Sequence, residues 1–328
     1  MVNLSTNYMG LPLKNPLVAG SSGITNSVKQ IKLLEEAGIG AVVLKSLFEE
    51  QINININDLI TSDEQNASYP EAEDYIRNYT RINSVMKYLD LIRDAKSAVG
   101  IPVIASINCI SASDWIEFAR EIEEAGADGL ELNIYELPSD RNKPSEKYEQ
   151  KYIDILLKVK GQIKIPVAIK ISPYFTNLVR IVDQLYANGA AAVVLFNRFY
   201  EPDFDLDKLE FVSSEVMSSP GDLNRCLRWT GIVAAEIPNM EIAASTGIHN
   251  GAGVIKQILA GAQVTQLCSA LYLNDYAIIG QIKDDIGEFM KKWNFKTLGQ
   301  FRGRMSYANI SSPEVYERAQ FMKYFSER

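Results

Sequence analysis

Eight short apolar runs punctuate the chain, at residues 16–20 (PLVAG), 41–45 (AVVLK), 102–106 (PVIAS), 129–133 (GLELN), 166–170 (PVAIK), 192–196 (AVVLF), 241–245 (EIAAS) and 264–268 (VTQLC). Each run is continuous rather than alternating and is bounded by turn formers, the pattern of a strand buried on both faces in a parallel sheet. Between them lie amphipathic stretches such as 27–38, 113–126 and 177–189. Their apolar residues fall at helical spacing, and each ends in glycine, the residue that most easily takes the left-handed conformation closing a helix. The phrase of glycine, short loop and apolar run recurs at Gly38, Gly126, Gly189 and Gly261. Repeated strand–helix units of this kind predict an α/β fold, a closed (β/α)₈ TIM barrel, with an open doubly wound sheet as the alternative.

Two long polar stretches interrupt the alternation, at about 49–81 after the second run and 198–221 after the sixth. Both follow the C-terminal end of a strand, where barrel enzymes keep their chemistry, so lid-like insertions are expected there. The rest of residues 1–328 reads as a single barrel domain with a C-terminal helical tail. No apolar run approaches the ~20 residues that span a bilayer, and the start MVNLSTNYMG lacks the basic head and apolar core of a signal peptide. A net charge of −8 argues against a nucleic-acid surface. Cys109, Cys226 and Cys268 show neither metal spacing nor an even count, and His249 is the single histidine. The expectation is a cytoplasmic protein with no metal site, no disulfide framework and no membrane or nucleic-acid partner.

The candidate chemistry sits where the runs end. Lys45, Asn133 and Lys170 close the second, fourth and fifth runs, and Asn197 follows the sixth. An ammonium at the end of an apolar strand is costly to bury unless it meets an anion or acceptor, so the two lysines point to an electron-rich ligand. The seventh run passes into Ser245-Thr246-Gly247-Ile248-His249-Asn250-Gly251, and the eighth into Cys268-Ser269-Ala270. Small-residue turns after strands seven and eight, opening helices with free N–H groups, are the usual phosphate site of a barrel. His249 reads as facing solvent.

Together with the opening LSTNYMGLPLKNPLVAGSSG, the phrases PVIASI, GADGLELN, PVAIKISPYF, STGIHNG and the tail LGQFRGRM occur in an order and spacing that resembles the dihydroorotate dehydrogenase family, especially its cytosolic class 1 enzymes. The resemblance implies a barrel binding FMN, a small-molecule substrate and a homodimer. It places Gly20, Ser21 and Ser22 against the flavin, Lys45 and Ser46 at the ring edge, and Lys170 near the N1/C2=O side, where positive charge favours the reduced anionic flavin. Thr246, Gly247, Cys268 and Ser269 would hold the phosphate, while Asn133 and Asn197 would span flavin and substrate. Lys45 is also a candidate catalytic group.

The likeness breaks on the substrate side. Where the family carries a signature close to Asn-Leu-Ser-Cys-Pro-Asn, this chain reads Asn133-Ile134-Tyr135-Glu136-Leu137-Pro138. Glu136 stands at the base position, about four pKa units less basic than cysteine, or about 6 kcal/mol of proton affinity. The pair after the sixth run is Asn197-Arg198, with Arg198 a candidate carboxylate clamp, and NASYPEA replaces the substrate loop. The family's glycine-rich segment reads SSPGDLNRCLRWTG at 218–231, where Arg225 or Arg228 are candidates for the missing phosphate contact. The leading expectation is an FMN oxidoreductase passing hydride between flavin N5 and a small pyrimidine-like or carboxylate-bearing substrate other than dihydroorotate. Glu136 or Tyr135 would move the proton. The alternatives are a non-catalytic FMN-binding paralogue, a true dihydroorotate dehydrogenase with Glu136 as base, and an aldolase with Lys170 as Schiff base.

Overall fold

The computed structural model describes residues 2–48, 70–108, 112–198, 201–213 and 215–317. Within them the eight runs form the strands β1 (Leu17–Ala19), β2 (Ala41–Val43), β3 (Val103–Asn108), β4 (Gly129–Asn133), β5 (Val167–Ile171), β6 (Ala192–Leu195), β7 (Glu241–Ser245) and β8 (Val264–Leu267). Each pairs in parallel with its neighbours, and β8 pairs with β1, so the ring closes. The architecture is a (β/α)₈ barrel rather than an open sheet. A two-residue strand, Leu47–Phe48, extends the rim after β2 by pairing with Ile107 and Asn108.

Alternation along the strands separates two cores. Small or branched residues point inward: Val18, Ala41, Val43, Ile104, Ala168, Ala192, Val194, Ala243 and Val264. The antiparallel hairpin Thr6–Tyr8/Leu11–Leu13 plugs the N-terminal end, where Tyr8, Met9 and Leu13 join that cluster. Larger side chains such as Leu17, Ile107, Leu132, Ile169 and Ile242 face outward onto the helices. Each fully buried aliphatic side chain of this kind contributes about 1.5–3 kcal/mol.

The inward positions change character along the barrel axis. Above the apolar layer stand Ser106, Glu131, Asn133, Lys170, Ser245 and Gln266, all buried. In the β4–β5 register Asn133 lies opposite Lys170, and in the β7–β8 register Ser245 lies opposite Gln266. The barrel thus carries a polar layer at the C-terminal ends of its strands.

Of the two insertions, residues 49–69 fall outside the described residues, and the stretch 70–81 belongs to a helix, Pro70–Ala98. Pro70 followed by Glu71 and Glu73 is a helix-start signature that the surrounding polarity hides. Further along, Val85, Tyr88, Leu89, Ile92 and Ala95 are buried at helical spacing. Residues 198–221 contain the antiparallel hairpin Pro202–Asp205/Glu210–Ser213, with Phe204, Leu206, Leu209 and Phe211 exposed. Phe199, Tyr200 and Ser214 lie outside the described residues, as does Cys109. The tail holds the helix Ala277–Lys292 and short turns at Leu298–Gln300 and Glu314–Glu317.

Tyr88 ties the helix to the rim. Its hydroxyl donates to the Ser106 carbonyl at 2.9 Å and accepts from the Ser106 N–H at 2.8 Å. Burial raises its pKa, so it stays a neutral donor. Tyr88→Phe leaves both backbone groups unpaired in the interior, and urea titration should show a loss of about 1–3 kcal/mol in unfolding free energy.

Candidate active site

The polar layer opens into a cavity of about 690 Å³ at the C-terminal face. It is lined by Ser21 and Ser22 from the loop after β1, Lys45 and Ser46 after β2, Asn133 and Tyr135 from the end of β4, and Lys170 on β5. Asn197 and Arg198 follow β6, Thr246 and Gly247 follow β7, and Cys268 and Ser269 follow β8. Thirteen residues singled out in the sequence therefore meet in one place: Ser21, Ser22, Lys45, Ser46, Asn133, Tyr135, Lys170, Asn197, Arg198, Thr246, Gly247, Cys268 and Ser269. Gly20 lies just behind the wall; a Cβ there would stand 2.7 Å from Cys268 Sγ, so only glycine lets that thiol fill the corner.

One wall is a chain of hydroxyls. Ser46 Oγ lies 2.6 Å from Ser106 Oγ and 3.1 Å from Ser21 Oγ, and Asn133 Nδ2 reaches Ser46 Oγ at 3.5 Å. Asn133 Oδ1 and Asn197 Nδ2 are buried with no hydrogen-bond partner among the described residues. An unpaired buried acceptor and an unpaired buried donor each cost about 1–3 kcal/mol unless a ligand meets them.

Beneath them lies a buried charge network. Lys170 Nζ donates to Gln266 Oε1 at 3.2 Å and stands 3.6 Å from Glu131 Oε1, while Gln266 Nε2 donates to Glu131 Oε2 at 2.6 Å. Glu131 is only 1% exposed and Lys170 8%. The ammonium is thereby held at the floor of the cavity. Burial pushes the Cys268 thiol up, partly offset by Lys170, so it is neutral near pH 7. Burial likewise pushes the Cys226 thiol up to about 11.

Several sequence candidates lie elsewhere. Glu136 does not line this cavity. It lines a separate one of about 240 Å³ with Tyr148, Tyr152 and Phe175, and it pairs with Lys143 at 2.6 Å and Lys151 at 2.7 Å. Partial burial raises its pKa, but the two lysines outweigh that and hold it below the usual carboxylate range, the wrong direction for a general base. Arg198 lines the cavity, yet its two terminal nitrogens donate to the carbonyls of Glu215 and Val216, strapping the arm 215–218 across the barrel mouth. Arg225 and Arg228 are exposed on the helix Leu223–Glu236, with Arg225 on a smaller cavity of about 120 Å³ beside Thr246. His249, expected to face solvent, is half-buried and lies 3.1 Å from Ser218 Oγ.

Ser106, Glu131, Gln266 and Ser218 escaped sequence reasoning. The first three had a signal, a polar residue at an inward position of an otherwise apolar strand. Ser218 had none, because its place depends on the path of the arm.

The family model described as dihydroorotate dehydrogenase matches residues 3–290. The dihydroorotate dehydrogenase B (NAD(+)), catalytic subunit, of Thermoplasma volcanium is 27% identical over 322 residues, covering 92% of this chain and 98% of that protein. The protein of the same description from Methanocaldococcus jannaschii is 24% identical over 307 residues (89% and 94%), and that from Thermoplasma acidophilum 26% over 317 (92% and 99%).

Proposed function

The chain belongs to the dihydroorotate dehydrogenase family, and from that premise we propose that it is an FMN-dependent oxidoreductase acting on a small substrate other than dihydroorotate. The observation that carries the cofactor is the pair of orphaned polar atoms. Asn133 Oδ1 and Asn197 Nδ2 are an acceptor and a donor without partners among the described residues, in a cavity whose floor holds an ammonium. The edge of a flavin ring offers matching donors and acceptors to such groups. Bound there, FMN would supply hydride transfer at its N5.

The residues take roles accordingly. Lys170, fixed by Glu131 and Gln266, places positive charge where electron density grows on reduction. Lys45 and Ser46 hold the ring edge, and Gly20 keeps the wall flat by leaving the corner to Cys268. Thr246, Gly247, Cys268 and Ser269 form the phosphate end. The open side of the ring is left to substrate between Asn133, Asn197 and Tyr135, under the arm that Arg198 straps.

The departure from dihydroorotate rests on Glu136 and Arg198. The first is held in two ion pairs outside the cavity and the second is bound to backbone carbonyls. Tyr135, on the same loop as Glu136, lines the cavity next to Asn133 and takes the role of moving the proton. The relatives are named as catalytic subunits of NAD(+) enzymes. We extend to this chain a homodimeric core that passes electrons to a partner subunit or small acceptor.

The test is reconstitution of the purified protein with FMN, followed by anaerobic mixing with a panel of dihydropyrimidines and small carboxylic acids. Stoichiometric uptake of FMN is expected, with its visible band bleached by a panel member but not by dihydroorotate. A protein that takes up no FMN overturns the cofactor. Bleaching by dihydroorotate overturns the change of substrate, and bleaching by nothing favours a non-catalytic binding protein.

A further inference from the structure

At the phosphate end, several polar groups converge on one oxygen. The Ser218 hydroxyl oxygen accepts from the Gly247 N–H at 3.3 Å, lies 3.1 Å from His249 Nε2 and 3.0 Å from Ser269 Oγ. The Ser218 N–H donates to Ser269 Oγ at 2.9 Å, which fixes the arm beside the turn. Ser218 is buried, and Ser218, Gly247 and Ser269 all line the main cavity.

Thr246 and Gly247 are both left-handed, with φ of +82° and +77°. That backbone turns the chain sharply at the end of β7, and the Gly247 N–H is the group it aims at the Ser218 oxygen. None of the partners of the Ser218 oxygen is a carboxylate. The nearest acid in sequence, Asp222, is engaged by the N–H and hydroxyl of Ser219. The Ser218 oxygen thus takes the Gly247 N–H and lies against the His249 imidazole, while its own proton goes to Ser269 Oγ, a hydroxyl that can turn to donate once an anionic oxygen stands there instead.

We propose that Ser218 Oγ holds the place of one oxygen of the ligand's phosphate, and that His249 is the donor that recognises that phosphate once the hydroxyl is displaced. This rests on the flavin mononucleotide reading for the ligand's identity, though not for the site. It accounts for how the chain manages without paired glycines in the segment 218–231: recognition passes to an imidazole on the neighbouring turn. Arg225 and Arg228 are exposed and are not needed for it. Because Ser218 belongs to the arm that Arg198 straps, displacing it links phosphate binding to the position of the cover over the substrate side.

The experiment titrates the full-length protein with FMN and with riboflavin, which lacks the phosphate, following the quenching of flavin fluorescence. His249→Ala should weaken FMN about tenfold or more, the effect of losing a charge-assisted hydrogen bond, and leave riboflavin unchanged. His249→Gln, which keeps a donor, should fall between. Ser218→Ala should tighten FMN several-fold by removing the competing hydroxyl, again without effect on riboflavin. Unchanged riboflavin affinity also shows that the variants remain folded. Equal losses for both flavins, no loss for either in His249→Ala, or weaker FMN in Ser218→Ala would overturn the inference while leaving the flavin reading standing. If the unmodified protein takes up neither flavin, that reading fails by itself. Inorganic phosphate then decides the subsite: it should raise the melting temperature of the unmodified protein but not of His249→Ala, and no difference between them overturns the inference.

Discussion

Gly247→Ala is expected to cost about 2–5 kcal/mol of stability, the sum of a left-handed backbone penalty and overpacking, and to weaken FMN uptake at least tenfold. The position has φ of +77°, and a Cβ there would stand 2.2 Å from Leu223 N and 2.7 Å from both Asp222 C and Leu223 Cα. Those are backbone atoms at the start of the helix Leu223–Glu236, which cannot rotate away as a side chain could. Relief requires the turn after β7 to move off that helix, carrying Thr246 and the Gly247 N–H out of the phosphate end. Gly10 supplies a control within the same molecule. Its φ is +73°, but nothing lies within 4 Å of the added Cβ. Gly10→Ala should therefore pay only the conformational part, about 1–2 kcal/mol, and should leave FMN uptake untouched. Urea titration and flavin fluorescence on the two variants test the comparison. Equal losses in both would mean that the contact with Leu223 and Asp222 is not what fixes Gly247.

The barrel was legible because its signal is local. A strand buried on both faces must be apolar throughout, and all eight such runs became barrel strands. The strand-end candidates were legible for the same reason, since a lysine or asparagine closing an apolar run has few bland explanations. What escaped depends on direction and distance. Glu136 is one residue beyond Tyr135, yet only Tyr135 lines the main cavity, while Glu136 meets lysines seven and fifteen residues further along the chain. No local pattern shows which way a loop side chain will turn. Arg198 looked free because its partners are backbone carbonyls seventeen and eighteen residues further along, which no side-chain pattern reveals. His249 looked exposed because the residue that meets it, Ser218, comes from another strand–helix unit. Glu131 was hidden in plain view: a carboxylate inside GLELN is readable as buried once the neighbours at Lys170 and Gln266 are known.

That buried carboxylate leads to the other large effect. Lys170→Met is expected to lower the unfolding free energy by about 3–5 kcal/mol, the loss typical of breaking a buried pair and leaving one charge behind. Glu131 is 1% exposed; among the described residues its Oε1 has no hydrogen-bond partner and relies on the ammonium 3.6 Å away, while its Oε2 accepts from the Gln266 amide. Methionine fills the volume of the lysine stem but offers the carboxylate nothing. The companion change Glu131→Gln removes the stranded charge, so the double variant should recover most of the loss. A double-mutant cycle by urea titration would show strong coupling between the two positions. The recovered variant then separates structure from chemistry. With fold restored but no cation at the cavity floor, bound FMN should be harder to reduce, read as a lower midpoint potential than in the unmodified protein. Recovery of both stability and potential in the double variant would show that Lys170 serves only to neutralise Glu131. Recovery of stability alone would place its charge in the service of the flavin.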